Sequence, residues 1–126
     1  MAEPASLRIE VFPRDLARSL DFYTRVLGFA VAVDRRADGE AYVALRRGSV
    51  HLGAAGQPDT ADLPGAQRRP PIGVELVLEV ADVVAERDRV VAAGWPLDDD
   101  LQKRHWGLTD FRVLDPDGYY WRITHR

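Results

Sequence analysis

Charged and aromatic side chains recur at alternate positions of short apolar stretches, and these are the groups best suited to chemistry. Arg8, Glu10 and Phe12 alternate with Leu7, Ile9 and Val11, which places the two sets on opposite faces of a half-buried strand. Glu75 and Glu79 alternate in the same way with Val74, Leu76 and Leu78. Near the end of the chain Tyr120 and Arg122 share one face, and Trp121 and Ile123 the other. His51 has the chemistry of a general base, but no Ser, Cys or Asp is arranged with it as a nucleophile, so no catalytic residue is assigned. Trp106 follows Lys103-Arg104-His105 and precedes Gly107. A ring there offers a broad face for stacking flat or cationic ligands; its other uses are core packing and a dimer contact. Trp95 and Trp121 read as structural, and His105 and His125 as exposed. The run Asp98-Asp99-Asp100, next to Pro96, reads as a solvated turn rather than a metal site.

Composition narrows the function classes. The chain has 126 residues, 46% hydrophobic and 29% charged, enough for a single domain with its own core. It has no cysteine, which excludes disulfides, thiolate zinc sites and cysteine nucleophiles. The net charge of −3 and the scattering of the arginine pairs argue against nucleic-acid binding. No apolar run approaches the roughly 20 residues of a membrane span. The start Met1-Ala2-Glu3-Pro4 lacks the regions of a signal peptide, so a cytoplasmic location with no membrane partner is expected.

The elements that must position these groups come in two similar sets. A strand at Leu7–Phe12 precedes Asp15, which caps a helix with Leu16, Leu20, Tyr23 and Leu27 on its apolar side and Gly28 as its stop. Strands follow at 29–34, 41–46 and 50–53. The second set starts with a strand at 73–80 and a helix capped by Asp82, with Val83, Val84, Val90 and Val91 on its buried side and Gly94 as its stop. Strands at 95–97, 111–114 and 119–124 complete it, the last two joined by the tight turn Asp115-Pro116-Asp117-Gly118. Nearly the same offset separates Asp15 from Asp82 and Gly28 from Gly94. The expected fold is therefore α+β: one domain, residues 1–126, of two tandem βαβββ modules at about 6–56 and 72–125. A Gly- and Pro-rich loop at about 57–71 joins them, and a duplicated unit of this kind faces matching residues across a shared groove.

The segment Asp15-Leu16-Ala17-Arg18-Ser19-Leu20-Asp21-Phe22-Tyr23, closed by Val26-Leu27-Gly28-Phe29, resembles the opening signature of the vicinal oxygen chelate superfamily. That group includes glyoxalases, extradiol dioxygenases, fosfomycin-modifying enzymes and bleomycin-resistance proteins. The ending from Trp106 to Gly118 is similar to its closing signature. The resemblance implies open barrel-like sheets and a divalent metal held by His and Glu at four equivalent strand positions. Carried over singly, the first position is taken by Arg8, its counterpart in the second half by Glu75, and the position on the last strand by Arg122; the end of the first half offers His51. Guanidinium is a permanent cation without an acceptor lone pair, so two arginines argue against a metal. Glu75 and His51 alone make too sparse a site. Neither metal nor other cofactor is expected.

Without a metal, the groove is expected to be lined by Arg8, Glu10, Phe12, His51, Glu75, Glu79 and Arg122, with Tyr42, Trp106, Phe111 and Tyr120 nearby. Glu75 is expected within reach of Arg122 or Arg8, because an unpaired charge on an inner face is costly. The metal-free members with a Trp-Gly segment before the last hairpin look like bleomycin-resistance proteins, which implies a homodimer that sequesters a flat small molecule such as an antibiotic. The glutamates suit a cationic ligand; Arg8 and Arg122 suit a carboxylate, sulfate or phenolate. The alternative is an atypical lyase, isomerase or hydrolase of the same fold with His51 or Glu75 as base. A third is an interaction module whose groove is filled by its own side chains.

Overall fold

The structure is a computed structural model and describes residues 4–56 and 73–126; the expected joining loop lies outside the described residues. The first half is β1 (Ile9–Val11), α1 (Leu16–Asp21), β2 (Ala30–Asp34), β3 (Tyr42–Arg47) and β4 (Val50–Ala55). The second is β5 (Leu76–Val80), α2 (Val83–Ala92), β6 (Asp99–Lys103), β7 (Thr109–Leu114) and β8 (Tyr120–His125). Each half forms a four-stranded mixed sheet, in the orders β1-β4-β3-β2 and β5-β8-β7-β6. In each, the first and last strands pair in parallel and the remaining neighbours run antiparallel. The fold is the expected α+β pair of βαβββ modules, and neither sheet closes into a barrel. No helix among the described residues is long and apolar enough to cross a membrane.

Local chemistry fixes both helices. Asp15 and Asp82 stand in extended conformation and accept the N–H of Arg18 and Ala85, which satisfies donors that a helix start leaves free. Gly28 and Gly94 take the positive φ that ends each helix turn. After α1 the chain widens into a π-helical turn over Phe22–Val26, with Leu27 N–H bonded to the Phe22 carbonyl. That turn buries Phe22, Tyr23, Val26 and Leu27 together.

The two sheets share one core on their helix-bearing sides. Tyr23 and Phe29 of the first half pack edge-on against Trp121 of β8, and Phe22 lies against Trp95. Trp95 and Trp121 are thus structural. The side of each sheet without helices is left outward, and there the polar residues gather.

Four expectations are corrected. The second-half strand read at 95–97 lies at Asp99–Lys103 instead. The aspartates that looked like a solvated turn partly build it: Asp99 is bridged by Arg104, and Asp100 accepts two hydrogen bonds from Arg87. On α2, Val84 and Val91 are exposed, and Glu86 is buried beside Val83 and Val90. The helix tolerates this because Arg47 and Arg89 both bond the Glu86 carboxylate. His125 lies in β8, half-buried, and its Nε2 accepts the Thr109 N–H at 3.1 Å.

Candidate functional site

The helix-free face of the first sheet has a small polar group at its centre. Arg8 Nε lies 2.7 Å from Glu10 Oε1, and the Tyr42 hydroxyl donates to the same oxygen at 3.2 Å. Burial, then the Glu10 charge, pushes the Tyr42 phenol above its ordinary value. Both side chains fill the space over Gly53, where any Cβ would collide with them. Glycine at this position allows that close approach and is not there to make a turn.

His51 is exposed and sits on β4 across from Arg46. The pairing registers settle which positions of the two halves match. Leu52 pairs with Ile9 and Trp121 with Leu76, and each of Ile9 and Leu76 lies at the same distance before its helix cap. Hence Arg8 matches Glu75, His51 matches Tyr120, and Gly53 matches Arg122. His51 stands one pleat away from the position opposite the last-strand arginine.

The helix-free face of the second sheet is far more charged. Arg122 Nε lies 2.9 Å from Glu75 Oε1, so Glu75 does find its partner there. At the centre is Asp110, its side chain fully buried. Arg104 binds it at 2.9 Å through Nε and reaches Asp99 through Nη2 at 2.6 Å. These two carboxylates hold the Arg104 guanidinium well above its ordinary pKa. Arg112 donates to the Tyr120 hydroxyl at 3.1 Å and lies 5.8 Å from its ring centroid. Trp106, in the turn between β6 and β7, is 46% exposed, with Arg122 lying 5.7 Å from its ring centroid.

Of the expected lining residues, Arg8, Glu10 and Tyr42 come together on one sheet, and Glu75, Trp106, Tyr120 and Arg122 on the other. A groove between the sheets joins His51 to Glu75, flanked by Ile9, Val50, Val77 and Trp121. Phe12 lies just past β1, partly buried, and Glu79 is exposed at the far end of β5. Phe111 is corrected: it is fully buried in the core, because β7 pairs it with Ile123 and turns Asp110 and Arg112 to the other face. Asp110, Arg104 and Arg112 were missed. Alternation along 110–114 separates Asp110 and Arg112 from Phe111 and Val113, a signal that locates both once β7 is in register.

The donor set does not fit the divalent metal that the resemblance implies. The four matched positions hold Arg8, Gly53, Glu75 and Arg122, of which only Glu75 carries a ligand atom suited to a cation. Among the described residues no group of three or more His, Cys, Asp or Glu is placed to hold a metal. No step is therefore derived through one.

The family model described as Glyoxalase/Bleomycin resistance protein/Dioxygenase superfamily matches residues 6–123. No curated protein matches the sequence significantly. Among solved structures, TioX from Micromonospora sp. ML1 is similar at a TM-score of 0.79 and 26% identity, over 97% of this chain and 98% of that one. A glyoxalase-related enzyme from Fulvimarina pelagi gives 0.76 and 24%, over 97% and 88%. A glyoxalase/bleomycin resistance protein/dioxygenase from Nocardioides gives 0.73 and 19%, over 99% and 85%. The last two carry the fold alone.

Proposed function

Because the chain belongs to the glyoxalase/bleomycin resistance protein/dioxygenase superfamily, we propose that it is a metal-independent small-molecule-binding protein acting as a homodimer, with resistance by sequestration of a flat natural product as its role. The observation that carries this reading is the replacement of ligand atoms by Arg8, Gly53 and Arg122 at matched positions, beside an exposed Trp106 packed on Arg122. Such a face binds by stacking and ion pairing and lacks the Lewis acid on which metal-dependent members of the fold rely.

Dimerisation is supported by the open edges. Among the described residues β1 and β5 each pair on one side only, and each sheet leaves a polar, aromatic face outward. Facing the first sheet of one subunit with the second sheet of another would cover the outward polar faces and enclose a groove between them.

A second reading has its own support: His51 and Glu75, the two candidate bases, line one groove. An atypical lyase, isomerase or hydrolase would use that groove. Native mass spectrometry with elemental analysis on the same sample, followed by addition of bleomycin-type and other flat natural products, separates the two. A metal-free dimer that gains intact ligand supports binding without chemistry. Stoichiometric metal, or compounds returned with altered mass, overturns it.

A further inference from the structure

The second sheet contains an arrangement that folding alone disfavours. Arg112 and Arg122 are direct partners across β7 and β8, so two like charges face one another on the same side of the sheet. Like charges in directly opposed positions destabilise an antiparallel pair. Both side chains are mostly buried, 24% and 20% exposed, so water screens them only in part.

The carboxylates nearby match the cations in number, Asp99, Asp110 and Glu75 against Arg104, Arg112 and Arg122, but leave hydrogen-bonding capacity unused. Asp110 gives its hydrogen-bonded oxygen to Arg104, and Asp99 is bound by Arg104 as well. Arg112 Nε is 4.0 Å from Asp110 Oδ1, and Arg122 Nη1 is 3.8 Å from Asp110 Oδ2; both are beyond hydrogen-bond distance. Glu75 contacts Arg122 Nε, but the N–H is not aligned for a hydrogen bond. Arg112 Nε, Arg122 Nε and Asp110 Oδ2 thus remain buried without a hydrogen-bond partner among the described residues. Buried polar atoms left this way are costly and rare.

Resting on the reading that these faces bind a small molecule, we propose that the Arg112–Arg122 pair seats the carboxylate of an aromatic acid whose ring stacks on Trp106. A carboxylate has two oxygens for two guanidiniums, and it can take the partly exposed N–H groups that the protein's own carboxylates leave unbonded. Trp106 already contacts Arg122 and leaves nearly half its surface open, so ring and carboxylate are served by adjacent groups. The glutamates on these faces point the same way. Glu10 is taken by Arg8 and Glu75 by Arg122, which leaves less acidic capacity for a cationic ligand than the sequence suggested.

The test is calorimetric titration of the full chain, at low salt, with 2-naphthoate and with its neutral amide, 2-naphthamide. The acid should bind at least about tenfold more tightly, the scale of one added charged hydrogen bond. R112Q and R122Q should each bring that ratio towards one, whereas W106A should weaken acid and amide alike. Removing one of two facing like charges is compatible with folding, and should R112Q fail to fold, R122Q on the other strand gives the same readout. Equal binding of acid and amide to the wild type, or a ratio unchanged in R112Q or R122Q, overturns the carboxylate seat and leaves the binding groove standing. Binding of neither compound at millimolar concentration overturns the seat and removes the support for a groove that takes flat aromatics.

Discussion

Tyr23 donates a 2.7 Å hydrogen bond to Asp115 Oδ2, although 92 positions separate them in sequence. The bond ties the π-helical turn of the first half to the last hairpin turn of the second. Trp121 Nε1 donates to the same tyrosine oxygen at 3.2 Å, while Asp115 Oδ1 accepts the N–H groups of Asp117 and Tyr119. One buried carboxylate therefore shapes a turn and joins the two modules, at the expense of its own ionisation: burial raises its pKa despite these bonds.

Replacing Tyr23 with Phe should lower stability by about 1–3 kcal/mol, since it strands a buried carboxylate oxygen and an indole N–H. Urea unfolding measures this, and an unchanged midpoint would refute the link. The pH dependence has a definite sign. Burial, then the Asp115 charge, pushes the Tyr23 phenol well above its ordinary value of 10.0. Its contribution is whole below about pH 10, where an unfolded tyrosine keeps its proton. Above that pH the unfolded chain releases a proton that the folded one retains, so stability falls. Y23F should flatten this alkaline slope, leaving a smaller one from Tyr42 and Tyr119, which are raised as well.

Glu86 should govern the acid side. Burial disfavours its charge, but hydrogen bonds from Arg47 and Arg89 outweigh burial and hold its pKa below the usual value. A depressed folded-state pKa means stability present above the ordinary glutamate range and lost as pH falls through the folded value. E86Q should cost about 3 kcal/mol near neutral pH by leaving Arg47 without its charge partner, and should weaken the acid dependence. The half-exposed Arg89 can turn to water and limits the loss. Parallel acid titrations of the two proteins followed by circular dichroism provide the check.

The fold was legible because its signals are local. Asp15 and Asp82 cap, Gly28 and Gly94 stop, and alternation marks the strands; each acts within a few residues. Where a long-range partner decides the outcome, reading by pattern fails. Asp99 and Asp100 look like a turn until Arg104 and Arg87 neutralise them, and Val84 and Val91 look like buried positions of α2 until Arg47, from the other half, draws Glu86 inward instead. The site suffered in the same way. Phe111 was expected in the groove because its aromatic type suits one, yet the register of β7 against β8 turns it into the core and puts Asp110 in its place. The charged character of the face was readable; which cation belongs to which carboxylate was not.

Gly53 separates stability from site geometry. An added Cβ there meets the ends of the Glu10 and Tyr42 side chains, which can swing aside towards solvent. G53A should therefore change stability by no more than about 1 kcal/mol, within the range of a tolerated Gly-to-Ala change. It should displace Glu10 from Tyr42, and with it lower the Tyr42 pKa, readable by absorbance titration of the phenols. A large loss of stability would instead mean that the polar group over Gly53 is rigid.

Trp106 is the sharpest single test of the binding reading. It lies in a turn, is 46% exposed, and packs on Arg122 and edge-on against His105 with ring centroids 4.7 Å apart. About half of the side chain is covered, and by surface groups rather than the core, so W106A should lower stability by about 1–2 kcal/mol and leave the protein folded. If the ring stacks on the ligand, the same change should weaken binding by about 1–3 kcal/mol, as for an aromatic anchor in an interface. Fluorescence adds an independent readout, because on this reading the ligand ring meets Trp106, whereas Trp121 is buried and Trp95 lies against Phe22. Ligand should therefore quench the wild type and leave W106A nearly unchanged. A folded W106A that keeps full affinity would place the ligand elsewhere, with the groove joining His51 to Glu75 as the next face to test.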